Sequence, residues 1–144
     1  MEKTNEMKLT FESKSVNEGF SRVAVSSFAS SLDPTVEELS DIKTAVSEAV
    51  TNAIVHGYRE KMGKIYITAA ITDKNIIRIK IRDNGVGIED IEKAREPLFT
   101  TLGGERAGLG FAVMESFMDK VKVRSAPGHG TTVTLEKHIF GKEG

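Results

Sequence analysis

The stretch Ser47-Glu-Ala-Val-Thr-Asn-Ala-Ile-Val-His-Gly57 has the apolar spacing of a helix, yet it places three polar side chains in line. Glu48, Asn52 and His56 follow one another at intervals of four residues, the spacing of neighbours on one helix face. The apolar residues around them form the predicted buried arc of the same helix: Leu39, Ile42, Val46, Ala49, Val50, Ala53 and Ile54. The polar stripe therefore indicates either a solvated helix face or a ligand site.

The composition is that of an ordinary globular protein. The chain has 144 residues, 39% of them hydrophobic and 28% charged, with a formal net charge of -1. Proteins that bind nucleic acid usually carry a strong basic excess, so this balance argues against nucleic acid as the main partner. The absence of cysteine excludes disulfides, thiolate metal sites and cysteine nucleophiles. No apolar run approaches the roughly 20 residues that span a bilayer, and the polar start is unlike a signal peptide. We expect one cytoplasmic domain over residues 1–144.

Hydrophobic periodicity predicts the element order β-α-α-β-β-α-β-β. Strand-like alternation occurs at 7–12, 64–71, 76–83, 120–126 and 131–138, and helical spacing occurs at about 16–32, 35–56 and 109–119. Thr35 and Glu38 have the spacing of a capping box, and a brief helical piece is predicted around 89–95. Strand hairpins with interspersed helices predict an α+β two-layer sandwich, with helices on one face of a mixed, mostly antiparallel sheet.

The segment Arg82-Asp-Asn-Gly-Val-Gly-Ile88 follows a predicted strand. Asp, Asn and Gly are common turn formers, so a simple turn is one interpretation. The other is a ligand site, because Gly85 and Gly87 permit close backbone approach. Asp83, at the end of the strand, could then accept a hydrogen bond from an amino group such as that of adenine.

Two further glycine-bearing segments are candidates for ligand contact. Gly103-Gly-Glu-Arg-Ala-Gly-Leu-Gly-Phe111 runs straight into a predicted helix, whose N-terminal N–H groups and dipole suit phosphate. Arg106 could add a charge-assisted contact, although an ordinary mobile loop explains the same composition. Gly128-His-Gly-Thr-Thr132 opens the last predicted strand, where a hairpin turn is the default interpretation.

The order of these four segments resembles the ATP-binding (Bergerat) fold of the GHKL superfamily, named after gyrase, a heat-shock chaperone, histidine kinases and MutL. The segments are Glu-x-x-x-Asn on a helix, Asp-x-Gly-x-Gly after a strand, a glycine-rich segment ending Gly-x-Gly, and Gly-Thr before a strand. The resemblance covers nearly the whole chain. It implies that ATP or ADP binds here together with Mg²⁺.

The resemblance also implies roles for individual residues. Asn52 would coordinate Mg²⁺, with Glu48 as the general base beside the γ-phosphate and His56 close to the nucleotide. Asp83 would bind the adenine amino group. The remaining predicted nucleotide contacts are Gly85, Gly87 and Thr131 around the base, Thr100, Thr101 and Arg106 in a lid over the phosphates, and Gly108 and Gly110 at the helix start.

Within the superfamily, the chain is similar to the anti-sigma-factor serine kinases of Gram-positive bacteria. The similarity rests on "LDPTVEELSDIKTAVSEAVTNAIVHGY", "EPLFTT" and "GLGFAVMESFMDKVKVRS" and favours the sporulation branch. It implies a homodimer that inhibits a sigma factor of the sigma-F type and phosphorylates a serine of an anti-anti-sigma protein. Arg22 in the first helix would contact the sigma factor, or it is simply a solvated cation.

Three alternatives remain open at this point. The chain could be a general-stress anti-sigma kinase, or a nucleotide-dependent sigma-binding module without phosphotransfer. It could also be a kinase acting on a histidine, although no segment matches the helical domain that carries the phosphoacceptor in sensor kinases. No direct contact with nucleic acid or membrane is expected.

Overall fold

The computed structural model describes residues 2–58, 62–86 and 104–142, with the backbone alone for 104–109. The strands are β1 (Lys3–Glu12), β2 (Lys64–Thr72), β3 (Ile76–Asp83), β4 (Lys120–Ser125) and β5 (Thr131–His138). The helices are α1 (Val16–Ala29), α2 (Val36–Asn52) and α3 (Gly104–Phe117). This is the predicted order of elements along the chain.

The five strands form one sheet in the order β1-β2-β3-β5-β4, and each described pairing is antiparallel. Side chains alternate between the two faces, as they must in a pleated strand. On β3, Ile77, Ile79 and Ile81 are buried on the inner face, while Lys80 and Arg82 are exposed on the outer one. The helices of the described residues pack on the inner face, which confirms the α+β two-layer sandwich.

Helix α2 is the central helix of the inner layer. Its N-terminus has the predicted capping box: the Thr35 hydroxyl accepts a hydrogen bond from the Glu38 N–H at 3.0 Å, and the Glu38 carboxylate accepts one from the Thr35 N–H at 2.9 Å. Its buried face consists of Ile42, Ala45, Val46, Ala49 and Val50. The burial of this face fixes the rotation of the helix and so determines where its polar stripe points.

Two elements begin earlier than the sequence prediction places them. Strand β1 begins at Lys3 rather than at residue 7, because its first residues pair with β2 through the backbone without alternating hydrophobicity. Helix α3 begins at Gly104, five residues before the predicted start, since Glu105, Arg106 and Ala107 are good helix formers that offset the adjacent glycines. The predicted helical piece around 89–95 lies outside the described residues. No helix in the described part of the chain is long and apolar enough to cross a membrane.

Candidate functional site

The C-terminal end of α2 is where the polar stripe meets the sheet. The helix continues into a π-helical turn, Ala53–Gly57, closed by a 3.1 Å hydrogen bond from the Tyr58 N–H to the Ala53 carbonyl. Turns of this kind add one residue per turn and are frequent at functional sites. The Gly57 carbonyl then accepts a hydrogen bond from the Val86 N–H at 2.8 Å. The turn thus joins the end of α2 to the segment that follows β3.

Asp83, the last residue of β3, is buried at this junction and is only 5% exposed. A Cβ on Gly57 would lie 2.8 to 2.9 Å from the Asp83 carboxylate, so only glycine fits there. The carboxylate accepts a hydrogen bond from the Gly85 N–H at 2.9 Å. Burial nevertheless raises the pKa of Asp83, against the lowering effect of the N–H groups of Gly85 and Thr131. A buried carboxylate of this kind favours a ligand that donates a hydrogen bond.

The β4–β5 turn packs against the same strand end. Gly130 has φ of +77°, a left-handed conformation that favours glycine, and a Cβ there would overlap the Asp83 carbonyl. Thr131 pairs with Asp83 in the sheet register and is 9% exposed. Its hydroxyl lies 2.8 Å from that of Ser125. The Gly-Thr segment is therefore next to Asp83, as the predicted contacts around the base require.

Tyr58 is a residue of this junction that the sequence prediction missed. Its hydroxyl accepts a hydrogen bond from the Asn84 N–H at 2.8 Å and donates one to the Lys64 carbonyl. Its ring packs on Gly63, where a Cβ would overlap it. A buried tyrosine needs a partner for its hydroxyl, and Tyr58 is 8% exposed. That rule could have indicated a role for Tyr58, but no sequence pattern identified the partners.

The other group of predicted residues lies where α2 faces α3. A Cβ on Gly110 would lie 3.1 Å from Glu48 Oε2 and 3.2 and 3.3 Å from Asn52 Nδ2 and Oδ1. The missing side chain at Gly110 therefore lets α3 approach both polar groups closely. Asn52 Nδ2 is buried without a hydrogen-bond partner among the described residues. A buried unpaired donor is unusual and is consistent with a ligand at this position.

This group fits Mg²⁺ in its chemistry. Mg²⁺ takes oxygen ligands and commonly keeps waters and substrate phosphates beside one or two protein groups. The Asn52 amide offers one such oxygen, and Glu48 offers carboxylate oxygens nearby. Among the described residues, no group of three or more His, Asp or Glu side chains could hold a metal by itself.

The remaining candidate residues lie in several different parts of the chain, and some are outside the described residues. His56 is half-buried in the π-helical turn, next to Gly57. Arg106 and Gly108 lie in the first turns of α3, where the backbone alone is described. Gly87, Thr100 and Thr101 lie outside the described residues. Arg22 is on α1, with its side chain 48% exposed and 3.7 Å from Glu18.

Sequence comparison gives a family and close relatives. A family model described as a histidine kinase-like ATPase domain matches residues 12–137. The chain is 60% identical over 140 residues to the anti-sigma F factor of Thermoanaerobacter sp. (strain X514), covering 96% of this chain and 97% of that one. It is 55% identical over 137 residues to the anti-sigma F factor of Bacillus subtilis (strain 168), covering 94% and 93%.

Solved structures give the same fold at lower identity. The RsbU and RsbW domains of a Mycobacterium tuberculosis protein superpose with a TM-score of 0.68 at 20% identity, over 94% of this chain and 32% of that one. Full-length ShkA in complex with AMPPNP superposes with a TM-score of 0.55 at 22% identity, over 85% of this chain and 30% of that one. This chain thus spans about a third of each of those proteins, and the likeness concerns the fold.

Proposed function

Because this chain belongs to the histidine kinase-like ATPase family and, within it, to the anti-sigma F factors, we propose that it is an anti-sigma factor that is also a protein-serine kinase. It binds and inhibits a sporulation sigma factor of the sigma-F type. It uses ATP with Mg²⁺ to phosphorylate a serine of an anti-anti-sigma protein, which inactivates that antagonist. Family membership supports the anti-sigma role and the use of ATP, and the site residues carry the rest of the proposal.

The observation that carries nucleotide binding is the buried Asp83 carboxylate at the junction of β3 and the π-helical turn. Its carboxylate accepts hydrogen bonds from the N–H groups of Gly85 and Thr131, and two carboxylate oxygens offer further acceptor sites for the adenine amino group. Thr131 and the backbone around Gly57 surround it. We assign Asp83, Gly85, Gly87 and Thr131 to the base end of the nucleotide site.

Glu48 and Asn52 carry the proposal for the chemical step. Asn52 would hold Mg²⁺, which neutralises phosphate charge when it is bound. Serine is a weak nucleophile at neutral pH, and a carboxylate can accept its proton as the hydroxyl attacks. Glu48 and Asn52 both lie beside Gly110 and share one face of α2 at a spacing of four residues, so we assign Glu48 as the general base. The serine oxygen then forms a bond to the γ-phosphorus as the bond from that phosphorus to the β,γ-bridging oxygen breaks, so that ADP leaves and the serine proton resides on Glu48.

The remaining phosphate contacts are assigned from the family resemblance and, for Arg106 and Gly108, also from their place in α3. The N-terminal turns of α3 contain Arg106 and Gly108, and N–H groups at a helix start favour phosphate. Charge neutralisation and positioning are the main requirements of phosphoryl transfer. We assign Arg106, Gly108, Thr100 and Thr101 to the phosphates, with His56 close to the end of the same stripe.

The kinase proposal is tested by incubating the protein with labelled ATP, Mg²⁺ and a candidate anti-anti-sigma protein. We expect acid-stable phosphate on serine. Glu48→Gln should abolish transfer while ADP affinity stays within about twofold, because the glutamine keeps the shape but cannot accept the proton. Asn52→Ala should weaken the Mg²⁺-dependent part of nucleotide binding.

Other outcomes of the same assay point elsewhere. Tight nucleotide binding without transfer would favour a sigma-binding module that uses nucleotide as a ligand alone. Acid-labile phosphoprotein would indicate a histidine acceptor instead of serine. Inhibition of a general-stress sigma factor, and not of a sporulation sigma factor, would identify the chain as a general-stress anti-sigma kinase.

The proposed sigma-binding surface is the outward face of α1. Val16, Phe20 and Val23 are 76%, 53% and 58% exposed, and their spacing of four and three residues places them on one stripe. Arg22 is beside this stripe. Large exposed apolar side chains grouped on one helix are typical of protein interaction sites. Arg22 could form an ion pair with an acidic residue of the sigma factor.

Arg22→Glu tests this surface. We expect it to weaken sigma-factor binding about tenfold, since a glutamate would repel the acidic residue that Arg22 is proposed to attract, and to leave ADP affinity unchanged. Lys74→Glu, an identical charge change in the β2–β3 turn, is the matched control. Equal sigma affinity in both variants would remove Arg22 from the interface. The proposed homodimer is tested separately by sedimentation equilibrium with ADP present.

A further inference from the structure

The outer face of the sheet, away from the helices, has a strongly basic centre. The register across the sheet aligns two rows of outward side chains. In the order β1-β2-β3-β5-β4, the rows are Thr10-Tyr66-Arg82-Thr132-Arg124 and Lys8-Thr68-Lys80-Thr134-Lys122. We call the five cations of these rows the basic patch: Lys8, Lys80, Arg82, Lys122 and Arg124. Neither row contains a carboxylate, although the chain as a whole has a formal net charge of -1.

The charges of the basic patch are not neutralised within the described part of the chain. All five side chains belong to exposed residues. The ion pairs that the described residues form within 4.0 Å involve other cations. At the rim, the pKa of Glu6 is lowered, first by its hydrogen bond from Lys3 and more weakly by the charges of Lys8 and Lys80. The positive potential of the patch therefore extends to its edge.

The dimensions of the basic patch follow from sheet geometry. Five strands spaced about 4.8 Å apart give a width of about 19 Å, and residues two apart along a strand are about 6.7 Å apart. The next row outward is balanced in charge, with Glu6 and Glu136 facing Arg78 and Lys120. Glu136 is bonded to Arg78 at 2.9 Å. The patch is thus a band about 19 Å long across the strands and two rows deep along them, bordered on that side by a row of balanced charge.

The surface chemistry favours a protein ligand over a nucleic acid. Single-stranded nucleic acids bind through aromatic side chains on which bases stack. Tyr66 is the one aromatic residue in the two rows, and the Arg82 guanidinium already lies over its ring at 4.3 Å from the centroid. Duplex recognition places a helix or a ribbon in a groove, whereas the two rows lie on paired strands inside a sheet.

We propose that the basic patch binds an acidic segment of a protein partner. In an extended segment, carboxylates on alternate residues recur at about 6.7 Å, the spacing of Lys80 and Arg82 on β3 and of Lys122 and Arg124 on β4. The threonines between the cations offer hydroxyls to the partner's backbone. This surface is on the opposite side of the sheet from α1 and from the nucleotide site, so it would add a contact beyond the proposed function.

The test measures binding of a fluorescent peptide of about ten glutamates by anisotropy at low salt. Lys80→Glu/Lys122→Glu changes the centre of the patch. Lys14→Glu/Lys74→Glu changes two exposed lysines outside it. Each double variant lowers the formal net charge from -1 to -5, since every Lys→Glu change subtracts two charges. Unchanged urea unfolding midpoints in both variants show that they are folded, and this control does not depend on the proposed function.

We expect the patch variant to bind the peptide about tenfold more weakly than the parent chain, and the control variant to lose about twofold or less. Equal losses in the two variants would mean that total charge alone attracts the peptide, and the proposal would fail. It would also fail if the parent chain did not bind the peptide. An oligothymidylate of matched charge is the third arm, and tighter binding of this probe would overturn the choice of a protein ligand.

Discussion

The two ends of the candidate nucleotide site are built in different ways. At the base end, the backbone of Gly57, Gly85 and Gly130 closes so tightly around Asp83 that a methyl group on any of these glycines would overlap other atoms. At the phosphate end, a Cβ on Gly110 would stop 3.1 to 3.3 Å from the side chains of Glu48 and Asn52. The base end is therefore a rigid, preformed pocket wall. The phosphate end consists of side chains whose polar atoms still have capacity for a ligand.

The largest effect is expected at the base end, from Gly85→Ala. The new methyl group would overlap the Gly57 carbonyl, a backbone group that is itself bonded to Val86. We expect a loss of about 1–3 kcal/mol in the free energy of unfolding and a fall in ADP affinity of about a hundredfold or more. Urea unfolding and calorimetric titration with ADP measure the two quantities.

Gly19→Ala is the matched control for this change. Gly19 lies inside α1, and a Cβ there has no other atom within 4 Å. Alanine is the better helix former, so the free energy of unfolding should rise by about 0.5–1 kcal/mol with ADP affinity unchanged. If Gly85→Ala bound ADP as well as Gly19→Ala did, the rigid wall would not belong to the nucleotide site.

Asp83→Asn separates two effects of the carboxylate: its contribution to ADP affinity and its effect on the free energy of unfolding. Adenine donates from its amino group to an acceptor, and we expect the amide to bind ADP about tenfold or more weakly, because the charged acceptor is lost. At neutral pH, the apo form of Asp83→Asn should be more stable than the parent chain. A buried carboxylate destabilises the apo protein when it is ionised, and an amide of the same shape carries no charge.

The stability difference between Asp83→Asn and the parent chain should depend on pH. Burial raises the pKa of Asp83 above its ordinary value of 3.8, so the native state holds the proton more tightly than the unfolded state. The stability contributed by this group is therefore present below 3.8 and is lost as the pH rises through the folded-state pKa. Relative to the parent chain, Asp83→Asn should become more stable as the pH is raised from about 4 to about 7. A constant difference across that range would contradict a raised pKa.

The sequence predicted the base end only in part. Periodicity predicted all five strands and the three described helices. The Asp-x-Gly-x-Gly and Gly-Thr segments predicted Asp83, Gly85 and Thr131 as ligand contacts, and the structure brings these residues together. The contact of Gly57 with Asp83 could not be predicted. It depends on a π-helical turn that adds one residue after Asn52, and residue spacing alone does not reveal such a turn.

At the phosphate end, the sequence predicted that Glu48 and Asn52 lie side by side on α2. It did not predict that Gly110 of α3 contacts both. Glu48 and Asn52 share a helix face by spacing alone. The approach of Gly110 depends on the packing of α3 against α2, a tertiary contact between residues far apart in the chain. The early start of α3 was missed for a local reason: its glycines lower the predicted helix propensity, although Glu105, Arg106 and Ala107 between them are good helix formers.

A smaller effect is expected from Tyr58→Phe, which tests whether the base end is held rigid from behind. The hydroxyl of Tyr58 joins the Asn84 N–H to the Lys64 carbonyl, and its loss leaves these two backbone groups without that partner. We expect a loss of about 1–2 kcal/mol in stability and an ADP affinity several-fold weaker.

Tyr66→Phe is the control for this deletion of one hydroxyl. Tyr66 lies on the outer sheet face, and its described contact is through the ring, with Arg82. Its loss of a hydroxyl should change stability by less than about 0.5 kcal/mol. Equal ADP affinity in the two variants would limit Tyr58 to a purely structural role.

The smallest effect on the fold is expected from Gly110→Ala, and this variant tests the comparison most directly. Alanine gains about 1 kcal/mol of helix propensity over glycine, and the distances of 3.1 to 3.3 Å require the side chains of Glu48 and Asn52 to move by only a few tenths of an ångström. Stability should therefore stay constant or rise, while Mg²⁺-dependent enhancement of nucleotide affinity and the rate of phosphoryl transfer should fall. ADP affinity without Mg²⁺ should be unchanged, because the base end is untouched. If Gly110→Ala instead destabilised the chain as much as Gly85→Ala, the phosphate end would be as tightly closed as the base end, and a ligand could not occupy the space beside Asn52.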